Sequence, residues 1–210
     1  MAPTQARDYR RADESGSRRV GPAPLRVLEI GCGVACSSVF DGRFVTGSDV
    51  LGVDVDAPDA ATLQKAEAFA ASRGHAFRFE QADATALRSL GDASVDTVVC
   101  SLTLCSVMPS VQMALNEVRR VLKPGGCFGF VEHVRVEKED GRPLLAASQV
   151  VLDPLQQLLA HDCHLRRDTA TLVVDAFGGP RCLVRPVQRM VNEAMWPVSQ
   201  QAAGIVRKLG

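Results

Sequence analysis

Small or ionisable residues follow short apolar runs at five places in this chain. Gly31, Cys32 and Gly33 follow Leu25 to Ile30, and Asp54 closes the run that starts at Asp49. Asp83-Ala84 follows Phe77 and Phe79, Ser101 ends Val95 to Ser101, and Glu132-His133 ends Cys127 to Val131. Each of these types can do a particular chemistry. Glycines tolerate positive φ and leave no Cβ between the backbone and a ligand. A helix start behind a glycine turn offers unpaired N–H groups. One carboxylate can accept both hydroxyls of a ribose, another the exocyclic amino group of a base, and such charge-assisted bonds orient what they hold. Glu29 lies inside the first apolar run, where a carboxylate can meet a ligand that carries positive charge. His133 is the candidate general base among them.

These residues can act together only if one architecture brings them to one edge. Apolar runs with strand character alternate with stretches of helical spacing. Strands are expected at Leu25 to Ile30, Asp49 to Asp54, Ala76 to Gln81, Val95 to Ser101, Cys127 to Val131, Cys182 to Arg189 and Ala203 to Lys208. Helices are expected at Val34 to Asp41, Ala60 to Ser72, Val111 to Leu122 and Thr169 to Phe177, with helical stretches in Leu144 to Leu159 that Pro154 interrupts. That alternation predicts an α/β fold with a mainly parallel sheet between two helical layers, and every carboxyl end of a parallel strand lies on one side of such a sheet. The candidate residues then share an edge that suits an adenosine-containing ligand. Residues alone leave two such ligands open, a nicotinamide dinucleotide and S-adenosylmethionine. A dinucleotide turn wants a third glycine where Cys36 stands, which disfavours the first.

The 210 residues, 46% hydrophobic and 23% charged, suit one domain with a sizeable core. Residues 25–210 are read as that domain, and Met1 to Pro24, rich in Arg, Ser, Pro and Ala without a hydrophobic period, as a disordered tail. Twenty-four basic residues balance 24 acidic ones, so no nucleic-acid partner is expected. No apolar run approaches the roughly 18 residues of a membrane span, and no signal peptide is evident. The seven cysteines, an odd number, fit reduced thiols in a soluble cytoplasmic protein. Arg7, Arg10, Arg11, Arg18 and Arg19 hint at mitochondrial import, which Asp8, Asp13 and Glu14 argue against. His161-Asp-Cys163-His164 lacks a second ligand pair at zinc spacing, so no metal is expected.

Several of these stretches resemble successive motifs of the class I S-adenosylmethionine-dependent methyltransferases, of the type 11 kind. They are Glu29-Ile-Gly31-Cys-Gly33-Val-Ala35, Gly52-Val-Asp54, Asp83-Ala84, Ser94-Val-Asp96-Thr-Val-Val and Glu117-Val-Arg-Arg-Val-Leu-Lys-Pro-Gly-Gly126. Ala35 stands where that family has a third glycine. The resemblance implies a Rossmann-like three-layer sandwich whose seven-stranded sheet ends on an antiparallel strand at Ala203 to Lys208. It implies S-adenosylmethionine as cofactor and a small-molecule methyl acceptor. Glu29, Gly31, Cys32 and Gly33 would take the cofactor's amino-acid part, Asp54 the ribose, Asp83 and Ala84 the adenine, and Ser101 the sulfonium edge. Val99-Cys-Ser-Leu-Thr-Leu-Cys-Ser-Val107, Phe130-Val-Glu-His-Val134 and Val151-Leu-Asp-Pro154 with Cys163 are similar to the methyltransferase-like alkyl thiol S-methyltransferases, which implies a thiol acceptor. Those proteins carry an N-terminal hydrophobic anchor and helices before the first strand that Met1 to Pro24 does not reproduce. The competing readings are a nicotinamide-dependent oxidoreductase and a non-catalytic S-adenosylmethionine-binding protein.

Overall fold

The computed structural model describes residues 24–33, 47–196 and 200–210. All but Pro24 of the expected tail at Met1 to Pro24, and the helix expected at Val34 to Asp41, lie outside the described residues. Seven strands form one sheet: β1 (Arg26–Ile30), β2 (Asp49–Asp54), β3 (Ala76–Gln81), β4 (Val95–Ser101), β5 (Leu122–His133), β6 (Leu183–Val191) and β7 (Gln200–Arg207). Their order across the sheet is β3-β2-β1-β4-β5-β7-β6. β1 pairs in parallel with β2 on one side and β4 on the other, so the order reverses beside β1. β7 runs antiparallel between β5 and β6, as expected of the final strand.

Side chains of successive strand residues point to opposite faces, and β1 divides accordingly. Val27 packs with Val50, Phe77 and Ala70, the last from α1 (Ala60–Ser72). Leu28 and Ile30 join the larger core with Val98, Phe128, α2 (Val111–Val121) and α4 (Thr169–Ala176). Both faces are thus covered, giving three layers. α2 shows why its segment is helical. Val111, Ala114, Leu115, Val118 and Val121 are all buried, a stripe at helical spacing, and the Ser110 hydroxyl accepts the Gln112 N–H at 3.2 Å. Its last turn is clamped to the preceding loop. Glu117 accepts from Leu87 N, and Arg120 donates to Glu117, Asp92 and the carbonyls of Leu87 and Leu90.

Two expectations need correction. β5 starts at Leu122 instead of Cys127, because Leu122 pairs with Val95 and the glycine turn is held to the chain end by Gly125 N–Lys208 O and Lys208 N–Gly126 O bonds of 2.9 Å. Pro154 does not interrupt its helix: α3 runs unbroken from Pro143 to Leu159. Proline costs a helix one N–H bond and crowds the previous turn, yet here the inward side is held by polar bonds. Gln149 accepts from Val136 N and donates to Val134 O, and Asp153 accepts from Leu165 N at 2.7 Å and from Gln157. The outward side is apolar: Leu144, Val151, Leu158 and Leu159 are each more than 70% exposed. α3 is therefore inverted relative to an ordinary surface helix.

Candidate functional site

A cavity of about 590 Å³ opens at the carboxyl ends of β1 to β4, where the strand order reverses. Gly31, Gly33, Asp54, Asp83, Ala84 and Ser101 all line it. Six of the eight expected cofactor residues therefore share one wall system. The other two lie beneath it. Glu29 is buried within β1, opposite Gly52 and Val99, and Cys32 is buried in the cluster of Val27, Val50 and Phe77.

Local bonds shape each wall. Asp54 Oδ2 accepts from Gly33 N at 2.8 Å and Oδ1 from Asp56 N at 3.1 Å, so the carboxylate of β2 tethers the turn of β1. Gly31 N and Cys32 N both donate to Val53 O. Asp83 Oδ1 accepts from the N–H and hydroxyl of Thr85, each at 2.8 Å, a local turn at the end of β3. Gly33 sits at φ +52°, and no atom of the described residues lies within 4 Å of where a Cβ would stand. Gly31, at φ +68°, is different: a Cβ there would lie 1.8 Å from Thr103 Oγ1.

Thr103 belongs to the loop after β4, which forms a wall with Leu102, Ser106, Val107 and Met108. That loop has no ladder of its own, so its backbone groups need partners. Glu132, fully buried at the end of β5, accepts from the N–H groups of Thr103, Leu104 and Cys105 at 3.0–3.1 Å. Arg167 donates from Nη1 to the carbonyls of Leu104, Cys105 and Val107. Burial pushes the Glu132 carboxyl up while the three N–H bonds pull against it, and burial pushes the Arg167 guanidinium down. Leu102 at the loop's start takes φ +53°, an uncommon conformation for a residue with a side chain.

His133 is not on the cavity wall. It is 7% exposed, and its Nδ1 faces the sulfurs of Cys105 and Cys163. The bond between those thiols holds Cys163 below the usual thiol range and, with burial, raises Cys105. The histidine that lines the cavity is His161, at the turn after α3. Sequence reasoning missed His161, Thr103 and Ser106. Their positions depend on Glu132, Arg167 and α3, partners remote in the chain. The arrangement can hold a ligand with hydroxyls near Asp54, a polar ring edge near Asp83 and Ala84, and a reacting end toward Ser101 and the loop 102–108.

Residues 28–130 match the model of a family described as a methyltransferase domain. A thiol S-methyltransferase of Rattus norvegicus, TMT1B, is 39% identical over 146 residues, 69% of this chain and 56% of the relative. The thiol S-methyltransferase TMT1A of Homo sapiens is 38% identical over 151 residues, 71% of this chain and 58% of the relative. The chain thus spans little more than half the length of these curated relatives. Among solved structures, a SAM-dependent methyltransferase from Methanosarcina mazei superposes with a TM-score of 0.64 at 20% identity, covering 89% of this chain and 93% of its own.

Proposed function

The chain belongs to the methyltransferase-domain family, and from that premise we propose that it transfers a methyl group from S-adenosylmethionine to a small thiol. The observation that carries this reading is the convergence of Asp54, Asp83 and the open turn at Gly33 on one cavity at the sheet's carboxyl edge. The residues fit the cofactor. Among the described residues each Asp54 oxygen is engaged by one backbone N–H, and a carboxylate oxygen can accept two bonds, a geometry that suits the two hydroxyls of a ribose. Gly33 presents backbone without a side chain in the way. About 590 Å³ lies within the range of small-molecule sites.

Bound there, S-adenosylmethionine supplies a methyl group on a sulfonium, activated for displacement. The chain's own residues bind, align and exclude water. Asp54 and Asp83 fix the nucleoside, and Val53, Ala84 and Val107 give apolar contact around it. The loop 102–108, held rigid by Glu132 and Arg167, sets the approach of the acceptor. The two relatives named above bear the name thiol S-methyltransferase, and a thiol acceptor needs little base catalysis. A thiol of pKa about 8.5 is already partly thiolate at neutral pH.

Methylation with labelled cofactor across thiols, phenols and amines tests the acceptor. Thiols should turn over, with a subsaturating rate that rises with pH toward each thiol's own pKa. Replacing His133 or His161 by Ala should lower that rate only modestly. Turnover of phenols or amines alone overturns the thiol assignment. Calorimetry tests the cofactor independently: Asp54→Ala should weaken S-adenosylmethionine by about 1.5–3 kcal/mol. Binding of NADH but not S-adenosylmethionine would return the oxidoreductase reading, and cofactor binding without any turnover the non-catalytic one.

A further inference from the structure

Behind the cavity wall, three soft donors from three separate segments converge. Cys105 lies on the loop after β4, His133 ends β5, and Cys163 follows α3. His133 Nδ1 is 3.6 Å from Cys105 Sγ and 3.4 Å from Cys163 Sγ, and the two sulfurs are 3.6 Å apart. All three residues are buried. We propose that Cys105, His133 and Cys163 form a binding site for a thiophilic divalent cation, with zinc as the ion whose chemistry they match.

The dimensions carry the assignment. Zinc sits about 2.3 Å from thiolate sulfur and about 2.0–2.1 Å from imidazole nitrogen in a tetrahedron. Those bonds set a sulfur–sulfur edge of about 3.8 Å and sulfur–nitrogen edges of about 3.6 Å. The three observed edges fall about 0.2 Å or less from these values. A disulfide between the same cysteines would need the sulfurs at about 2.05 Å and would leave His133 out. Charge agrees as well. Two thiolates and a neutral imidazole cancel a divalent ion, so the loaded site buries no net charge.

Among the described residues three protein donors meet here, which leaves the fourth corner to an exogenous ligand, the ligand count of a zinc site with an open position. Cys105 Sγ lies 3.9 Å from the hydroxyl of Ser106, which lines the cavity. Its backbone is already tied to the other segment by a His164 N–Cys105 O bond of 3.0 Å. Metal would therefore fasten the loop 102–108 to the turn at 160–164, two walls of the cavity. Loading displaces the thiol protons to solvent and involves no redox step.

The inference does not rest on methyl transfer, and its test reads the ion directly. Protein purified under reducing, anaerobic conditions and dialysed against zinc should retain about one ion per chain by elemental analysis. Cobalt substitution should give thiolate-to-cobalt charge-transfer absorption and the visible bands of a tetrahedral site. Cys105→Ser and Cys163→Ser should each remove both signals, while Cys182→Ser and Cys127→Ser should retain them. If wild-type protein holds no zinc and shows no thiolate-to-cobalt band, the proposal is wrong. It is equally wrong if the bands persist in both Cys105→Ser and Cys163→Ser. The wild-type spectrum decides even if a variant fails to fold.

Discussion

Thr103 occupies the space that any side chain on Gly31 would need. A Cβ on Gly31 would meet Thr103 Oγ1, Cγ2 and Cβ at 1.8–2.6 Å, and the backbone there is left-handed. Gly31→Ala should therefore cost more stability than the ~1–3 kcal/mol of a strained backbone position alone, because the overlap with Thr103 adds to it. Steric overlap and backbone strain can be separated. Thr103→Gly has a cost of its own, since it removes the hydroxyl's bond to Ser101 O, but in the double variant it should recover the part of the loss that comes from overlap and leave the φ penalty. Denaturant melts of the four proteins give the coupling. Strict additivity would show that Thr103 is not what restricts Gly31. The contrast with Gly33 also explains which site residues were legible in the sequence. Asp54, Asp83 and Gly33 each follow directly from a strand end, so local pattern locates them. Thr103 and His161 reach the cavity only through remote partners, Glu132 and the polar anchors of α3. His133 shows the opposite failure: its place at the end of β5 was legible, but its neighbours Cys105 and Cys163 come from distant segments.

At the scale of elements, α2 and α3 teach different lessons. The apolar stripe of α2 faces the core as its spacing predicts. In α3 Leu145 is buried but most of the other large apolar residues are not, because Gln149 and Asp153 make the inward bonds that fix it. Periodicity reports that a face is apolar, and only the hydrogen-bonding demands of neighbouring backbone decide which face turns inward. A similar polar tie joins β6 to the segment after β5. Arg189 donates from Nε to Asp140 Oδ1 at 2.9 Å and from Nη2 to Oδ2 at 2.7 Å, a bidentate pair largely shielded from water. That bond holds the Asp140 carboxyl below the ordinary range. A carboxyl depressed by folding adds stability that is complete above its unfolded pKa, about 3.9, and lost as pH falls through its folded value. Asp140→Asn should lower the melting temperature at neutral pH, and the gap from wild type should narrow as pH drops below about 3.9. A gap independent of pH would mean that the pair contributes packing and not charge.

For the whole molecule, the fold was more legible than the site. Strand and helix alternation fixes a parallel sheet with helices on both faces, and a parallel sheet brings its carboxyl ends together whatever the loops do. The position of the last strand was less open to local reasoning, since neither hydrophobicity nor spacing states which neighbour a strand selects. It came from family likeness, and β7 does lie antiparallel between β5 and β6. That placement has a genetic consequence. β6 meets the sheet only through β7. A stop codon just before Gln200 would leave β6 encoded in full yet strip two strands from the sheet, baring the edge of β5 for pairing with other chains. The truncated product should be recovered in aggregates, and supplying the missing strand as a separate peptide should return part of it to solution. A truncated chain that stays monomeric and melts like the whole protein would show that the strand is dispensable.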